Sequence, residues 1–210
     1  NNDLTGNETI GDECKLVQGK PFIVEKINDL KFEIYPTSFF QINVKQAEEY
    51  YKKIISIACL NEEDVICDLY SGIGTIGLTA IKLKNVKEVR GFDNDKQAVK
   101  TAINNAEINE ITNATFYNGD MIKNLKEFFK KGFKPTVMFL NPPKSGLDLK
   151  MINFLQESDV KKLIYVSSNP STLAKNCNHL SKKYIIRSIN PIDLYPHTAN
   201  VECVVCLERR

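Results

Sequence analysis

No run in the sequence approaches the about 20 apolar residues that a membrane-spanning helix needs, so a helical membrane protein is excluded. No sign of charge dominates either: 28 basic residues face 26 acidic ones, a net charge of +2. A chain that held nucleic acid through bulk electrostatics would be more basic, so charge alone names no partner. The cysteines show no disulfide framework, and no secretory signal is read ahead of them. Six cysteines stand at positions 14, 59, 67, 177, 203 and 206, and a reduced, cytoplasmic setting is expected. Cys203 and Cys206 have CxxC spacing, but no second pair accompanies them, and the run VECVVCLER reads as an alternating strand. Buried strand cysteines are the simpler reading, and no metal site is expected. Internal repeats and low-complexity segments are absent.

What is present fits a globular enzyme-sized domain. At 42% hydrophobic and 26% charged residues the chain can fill a core, which excludes disorder as its main state. Its 210 residues admit one α/β domain with a small appendage. It opens at Asn1 within a polar stretch and is read as a piece of something longer.

Residues 1–20 read as an irregular lead-in. PFIVEK and LKFEIYP, around Ile27, Asn28 and Asp29, predict a β-hairpin. Apolar positions at helical spacing predict a helix over 43–59. From residue 65 strands alternate with helices: VICDLY, KEVRGFD, ATFYNGD, PTVMFLN and KKLIYVSS are separated by helical stretches. That rhythm predicts a parallel sheet covered on both faces. YIIRSINPIDLY and VECVVCLER follow with no helix between them and predict an antiparallel hairpin at the edge of the sheet.

Open parallel sheets bind ligands beyond the carboxyl ends of their strands, and four polar signals fall there. The first is the loop from Asp68 to Gly77, with glycines at 72, 74 and 77 that let backbone turn beside a ligand at a helix N-terminus. Asp93, about 20 residues later, can accept both hydroxyls of a ribose. Asp120 follows the third strand, near where an adenine would lie. Asn141-Pro142-Pro143 ends the fourth. The glycine loop with its downstream acid also fits a nicotinamide dinucleotide fold. However, Asp68 would repel a pyrophosphate and suit a cationic amino acid moiety, and the closing strand pair does not fit that fold. Both features favour S-adenosylmethionine, which carries an ammonium and a sulfonium.

Six segments resemble one family, the S-adenosylmethionine-dependent RNA 5-methyluridine methyltransferases. They are SFFQIN (38–43), DLYSGIGTIGL (68–78), GFDND (91–95), NPPKSG (141–146), YVSSNPSTLAKN (165–176) and PHTANVE (196–202). Their order and spacing match over roughly residues 20–210, and SFFQIN and PHTANVE are the most specific. The resemblance implies a Rossmann-like class I methyltransferase fold: a seven-stranded, mostly parallel sheet with an antiparallel last strand, plus an N-terminal hairpin. It divides the chain into residues 1–42, a remnant of a central RNA-binding region, and 43–210, the catalytic domain. Gln41, Tyr70, Asp93 and Asn141 would contact the cofactor, and Gly72 and Gly74 would shape the loop beside it. Glu202 falls at the family's general base. The partner implied is a uridine in tRNA or rRNA, and a monomer is expected.

Two departures bear on mechanism. The family's nucleophile is the cysteine of a Ser-Cys-Asn-Pro turn, and here Ser168 takes its place. The family's Asp-Pro-Pro-Arg reads Asn141-Pro142-Pro143-Lys144. In the family's reaction a thiolate adds to carbon 6 of uracil, carbon 5 takes the methyl group, and a base removes the carbon 5 proton before the thiolate leaves. A serine hydroxyl is a far weaker acid than a thiol and needs an adjacent base. His197 is the spatial candidate for that base, although a structural histidine bonded to the backbone is the favoured reading of it; Cys177, two helical turns past the serine, is not expected to substitute. The chain is therefore expected to bind S-adenosylmethionine and to be impaired in the covalent reaction. The alternatives are an inactive protein binding cofactor and RNA, and an amino-group methyltransferase using Asn-Pro-Pro. A nicotinamide oxidoreductase is a further one. Lys144, Lys161, Lys162, Lys175, Lys182, Lys183 and Arg187 could touch phosphates, or be ordinary solvated surface.

Overall fold

The structure is a computed structural model that describes residues 15–210; Cys14 and most of the lead-in lie outside the described residues. Strands β1 (Ile23–Ile27) and β2 (Leu30–Ile34) come first. Helix α1 (Val44–Ala58) leads into β3 (Val65–Leu69), α2 (Thr75–Lys84), β4 (Glu88–Asp93), α3 (Lys96–Ile108) and β5 (Ala114–Asn118). Then come α4 (Met121–Lys130), β6 (Val137–Leu140), α5 (Leu149–Glu157), β7 (Lys162–Ser167) and α6 (Pro170–Leu180). β8 (Tyr184–Ile192) and β9 (Glu202–Arg209) follow with no helix between them.

The hairpin turns through Asn28 and Asp29, at φ 51° and 64°. Two successive left-handed residues make the turn that matches hairpin twist, and Asn and Asp tolerate that region. A lone hairpin is marginal in water. This one buries Ile27, Leu30, Phe32 and Ile34 in the core beneath α1. Side chains from the end of α3 take up the outer edge of β2: Lys31 N–H donates to Asn109 Oδ1 and Glu33 N–H to Asn105 Oδ1, each at 2.8 Å.

The main sheet has seven strands in the order β5-β4-β3-β6-β7-β9-β8. β3 to β7 pair in parallel, and β9 runs antiparallel to both neighbours. This is the expected mostly parallel sheet with an antiparallel last strand and a separate hairpin. The closing β8–β9 pair is the expected antiparallel hairpin at the edge of the sheet, with β8 outermost; β9 inserts between β7 and β8, and Glu202 to Leu207 are all buried. The run VECVVCL is thus not a half-exposed alternation. Its consecutive apolar residues suit a strand covered on both faces.

Successive strand residues point to opposite faces, which splits the core in two. Ile66, Phe139, Ile164 and Cys206 pack under α1, α2 and α3; Cys67, Met138, Tyr165 and Cys203 pack under α4, α5 and α6. Cys203 and Cys206 therefore face opposite ways and cannot close on one ion. Among the described residues no cluster of metal-ligating side chains occurs, the cysteines are free thiols, and no helix is long and apolar enough to cross a membrane.

Candidate active site

The loop after β3 is a backbone construction. Tyr70, Gly72 and Gly74 take φ values of 58°, 53° and 87°, and the reversal starts α2 with Gly74 as its N-cap. A Cβ on Gly74 would lie 2.9 Å from Phe116 Cζ, so the close approach requires glycine. Gly72 faces open space, with nothing within 4 Å of where its Cβ would be. Its N–H donates to Asp93 Oδ2 at 2.9 Å, and Asp95 N–H donates to Asp93 Oδ1 at 2.9 Å. Two backbone donors thus orient the carboxylate at the end of β4, and acceptor capacity remains on each oxygen.

A cavity of about 430 Å³ opens before this loop. It gathers Gln41, Tyr70, Gly72, Asp93, Asn141, Ser168 and Glu202, from segments spread over most of the chain. Gly74 lies outside the lining, at the start of α2. Asp120 does not line this cavity. It is exposed, caps α4 by accepting from Lys123 N–H at 2.9 Å, and lines an adjoining recess of about 440 Å³. Tyr70 belongs to both spaces.

Asp68 does not reach the cavity wall where a ligand's cation was expected to meet it. It is 0% exposed; Oδ2 accepts from Gly77 N–H at 3.0 Å and Oδ1 is without a partner among the described residues. Burial pushes its carboxyl up to about 7, against the Gly77 hydrogen bond and aided by the nearby Asp93 charge.

The other end of the cavity is set by strand register. Asn169 caps α6 through Ser171 and Thr172 N–H groups, at 3.1 and 3.3 Å, and Pro170 takes the first helical position. The Asn169 Nδ2 and Thr172 Oγ1 both donate to the Lys144 carbonyl at 3.1 Å, which ties the Asn-Pro-Pro-Lys loop to the Ser168 turn. Ser167 of β7 pairs with Cys203 of β9, so Ser168 and Glu202 follow one step further along antiparallel strands. Glu202 is buried, and Tyr50 donates to its Oε2 at 3.0 Å. Burial raises the Glu202 carboxyl, while the Tyr50 bond and the Lys144 charge pull the other way.

Neither histidine lines the cavity. His197 sits in an exposed stretch at φ 67°, so the candidate base for Ser168 is not in the cavity. Cys177 is buried on α6, away from the cavity, with its thiol pushed up to about 11 by burial. Of the cations considered for phosphate contact, Lys144 lines the cavity. Lys162 instead donates to the Ala58 carbonyl at 3.0 Å, and Arg187 pairs with Glu208 at 2.7 Å.

The sequence profile described as tRNA (Uracil-5-)-methyltransferase matches residues 11–210. The chain belongs to this family. A Listeria innocua protein described as an uncharacterized RNA methyltransferase is 39% identical over 209 residues, covering 100% of this chain and 45% of the relative. One from Enterococcus faecalis is 40% identical, covering 97% and 44%. The chain thus spans less than half the length of the curated relatives it matches. The solved tRNA (uracil-54, C5)-methyltransferase of Pyrococcus abyssi, in complex with S-adenosyl-L-homocysteine, superposes with a TM-score of 0.79 at 31% identity. That match covers 98% of this chain and 49% of the archaeal one. A precorrin-6y C5,15-methyltransferase of Geobacter metallireducens, at 15% identity and a TM-score of 0.63 over 77% of this chain and 89% of its own, shares the fold. The fold is the Rossmann-like class I methyltransferase fold.

For this member of the tRNA (uracil-5-)-methyltransferase family, sequence reading missed two lining aromatic side chains and two hydroxyl contacts at the site. Phe39 lines the cavity and is 71% exposed, although it lay within the quoted SFFQIN segment. Tyr51 lines the cavity from α1. Tyr195 donates its hydroxyl to Gln41 Oε1, which holds that buried amide. The Tyr50 bond to Glu202 had no signal either, because a tyrosine on an amphipathic helix reads as core.

Proposed function

We propose that this chain is the S-adenosylmethionine-binding, catalytic part of an RNA methyltransferase acting on carbon 5 of uridine in tRNA or rRNA. In this reading Ser168 impairs the covalent step. The observation that carries it is the convergence of Gln41, Tyr70, Gly72, Asp93, Asn141, Ser168 and Glu202 on one cavity. Residues 1–42 then belong to the tail of an RNA-binding region and 43–210 to the catalytic domain, working as a monomer in the cytoplasm.

The residues fit the cofactor. The open space over Gly72 leaves room beside the backbone, and Asp93 keeps acceptor capacity for ribose hydroxyls. Gln41 and Asn141 supply amides, and Tyr70 spans the step to the recess where Asp120 would meet the adenine end. When bound, S-adenosylmethionine supplies an electrophilic methyl group. The protein's own residues do the rest. The exposed ring of Phe39 offers a face on which a flipped base can stack. Ser168 stands where a nucleophile would meet carbon 6, and Glu202 would take the carbon 5 proton. A hydroxyl with no histidine in its cavity has little means of becoming an alkoxide.

The test has two arms. Calorimetric titration with S-adenosylmethionine should show stoichiometric binding, and a nicotinamide dinucleotide should show none. Mass spectrometry of RNA nucleosides should show little 5-methyluridine from the full-length serine form and restored product from Ser168→Cys. Equal rates from both forms would overturn the impairment; absence of cofactor binding would overturn the whole reading.

The absence of a histidine from the lining around Ser168 favours one second reading, a binding protein without catalysis. It expects RNA binding that Asp93→Ala leaves unchanged and no product from Ser168→Cys.

A further inference from the structure

Tyr50 lies on α1, outside every segment that carries the family resemblance. Its ring is buried, yet its hydroxyl does not settle on nearby backbone, as the buried Tyr184 hydroxyl does on the Leu155 and Val160 carbonyls at 3.0 and 3.1 Å. It reaches instead across 152 positions of sequence to Glu202 Oε2, at 3.0 Å. Glu202 lines the cavity, and its Oε1 is absent from the sealed, unpartnered oxygens among the described residues. The two carboxylate oxygens are therefore unequal: Oε2 accepts from a phenol, and among the described residues no hydrogen bond to Oε1 accompanies it.

Resting on the proposed function, we infer that Tyr50 is a positioning residue for Glu202, tethering Oε2 so that Oε1 is presented as the proton acceptor beside Ser168. The tether does two things. It removes rotational freedom from a carboxylate that must meet a proton in one place. It also donates a hydrogen bond to the charged form, which keeps a buried carboxylate ionised against the cost of its burial. A phenylalanine would fill the same space on α1, so the hydroxyl alone carries the effect. The other ionisable groups around Glu202 are Tyr51 on the same helix as Tyr50, Tyr195 before β9, Lys144 after β6 and the neighbouring Cys203 of β9, which packs on the opposite face of the sheet. None of them donates a hydrogen bond to Oε2 in place of Tyr50.

The experiment is a carbon-13 NMR titration of the chain labelled at glutamate side-chain carboxyls, with Glu202→Gln to identify the Glu202 signal. In Tyr50→Phe the Glu202 midpoint should rise by about one pH unit, a tenfold change in its acid dissociation. S-adenosylmethionine affinity should stay within about twofold, the ordinary scatter between variants with intact contacts. A midpoint unchanged within about 0.2 unit would overturn the tether. If Tyr50→Phe does not fold, Tyr50→Leu removes the same hydroxyl and is held to the same shift. In the Ser168→Cys background the hydroxyl should also raise the rate of carbon 5 proton release with KM unchanged. A shifted midpoint with no methylation from any cysteine variant sinks the functional reading while leaving the tether in place. Methylation with no shift does the reverse.

Discussion

Ser167 and Cys203 face each other across the β7–β9 ladder, and that pairing brings Ser168 and Glu202 to one cavity. The nucleophile position and the base position belong to segments far apart in sequence, but they are set by the register of one antiparallel pair. A one-residue slip of β9 against β7 would send Glu202 to the wrong face and part it from Ser168. The Asn169 and Thr172 bonds to the Lys144 carbonyl fix the third segment against the same turn.

The serine at that position should be readable in turnover without being readable in binding. Ser168→Cys should raise uridine methylation by roughly a hundredfold or more, the scale at which an activated nucleophile separates from an unactivated one. Ser168→Ala should leave cofactor affinity within about twofold, since the side chain is assigned to the base and not to the cofactor. Nucleoside mass spectrometry and calorimetry check the two halves.

Asp93 should matter for the cofactor more than its exposure suggests. Asp93→Ala removes an acceptor for a ligand and releases the N–H groups of Gly72 and Asp95. Hydrogen bonds to a charged group contribute about 1.5–3 kcal/mol, so S-adenosylmethionine affinity should fall roughly ten- to a hundredfold. Calorimetry with Asp93→Asn, which keeps one acceptor oxygen, should give an intermediate value.

The two loop glycines should fail differently. Gly74→Ala puts a Cβ 2.9 Å from Phe116 at φ 87°, and about 1–3 kcal/mol of stability should be lost, read as a lower Tm. Gly72→Ala meets no neighbour, so the fold should lose only about 1–2 kcal/mol. Its methyl group then occupies cavity space, and cofactor affinity should fall more than stability does.

The stability of the apoprotein should decline as pH rises. Asp68 has a folded-state pKa of about 7, above its ordinary value of 3.8. A group raised in this way contributes stability that is fully present below the unfolded value and is lost as pH rises through the folded one. The Asp68 contribution should therefore fade between about pH 4 and pH 7, and Glu202, also raised by burial, adds in the same direction. Asp68→Asn should flatten the slope of Tm against pH across that window. An unchanged slope would show that the buried carboxyl is not its source.

Much of the fold was legible because its signals are local. The Asn28-Asp29 turn, the glycine loop and the strand–helix rhythm each depend on a few adjacent residues, and all stand where the sequence puts them. The interior placement of β9 was less legible, since the run reads equally as an edge strand until its neighbours are known. Asp68 shows where site reading ran out. It is an acid at a strand end like Asp93, yet it is sealed beneath the loop. Nothing local distinguishes such an acid from one at the cavity wall. The Tyr50 and Tyr195 contacts were invisible for the same reason, because each joins residues more than a hundred positions apart.

Residue 144 holds its two loops together with its carbonyl oxygen, while its side chain points to the cavity. Every residue type has that carbonyl. The architecture of the reacting end is thus indifferent to which side chain stands there. Arginine, lysine or a neutral group could be exchanged at that one place, changing the charge met by a substrate while the frame around Ser168 stays as it is.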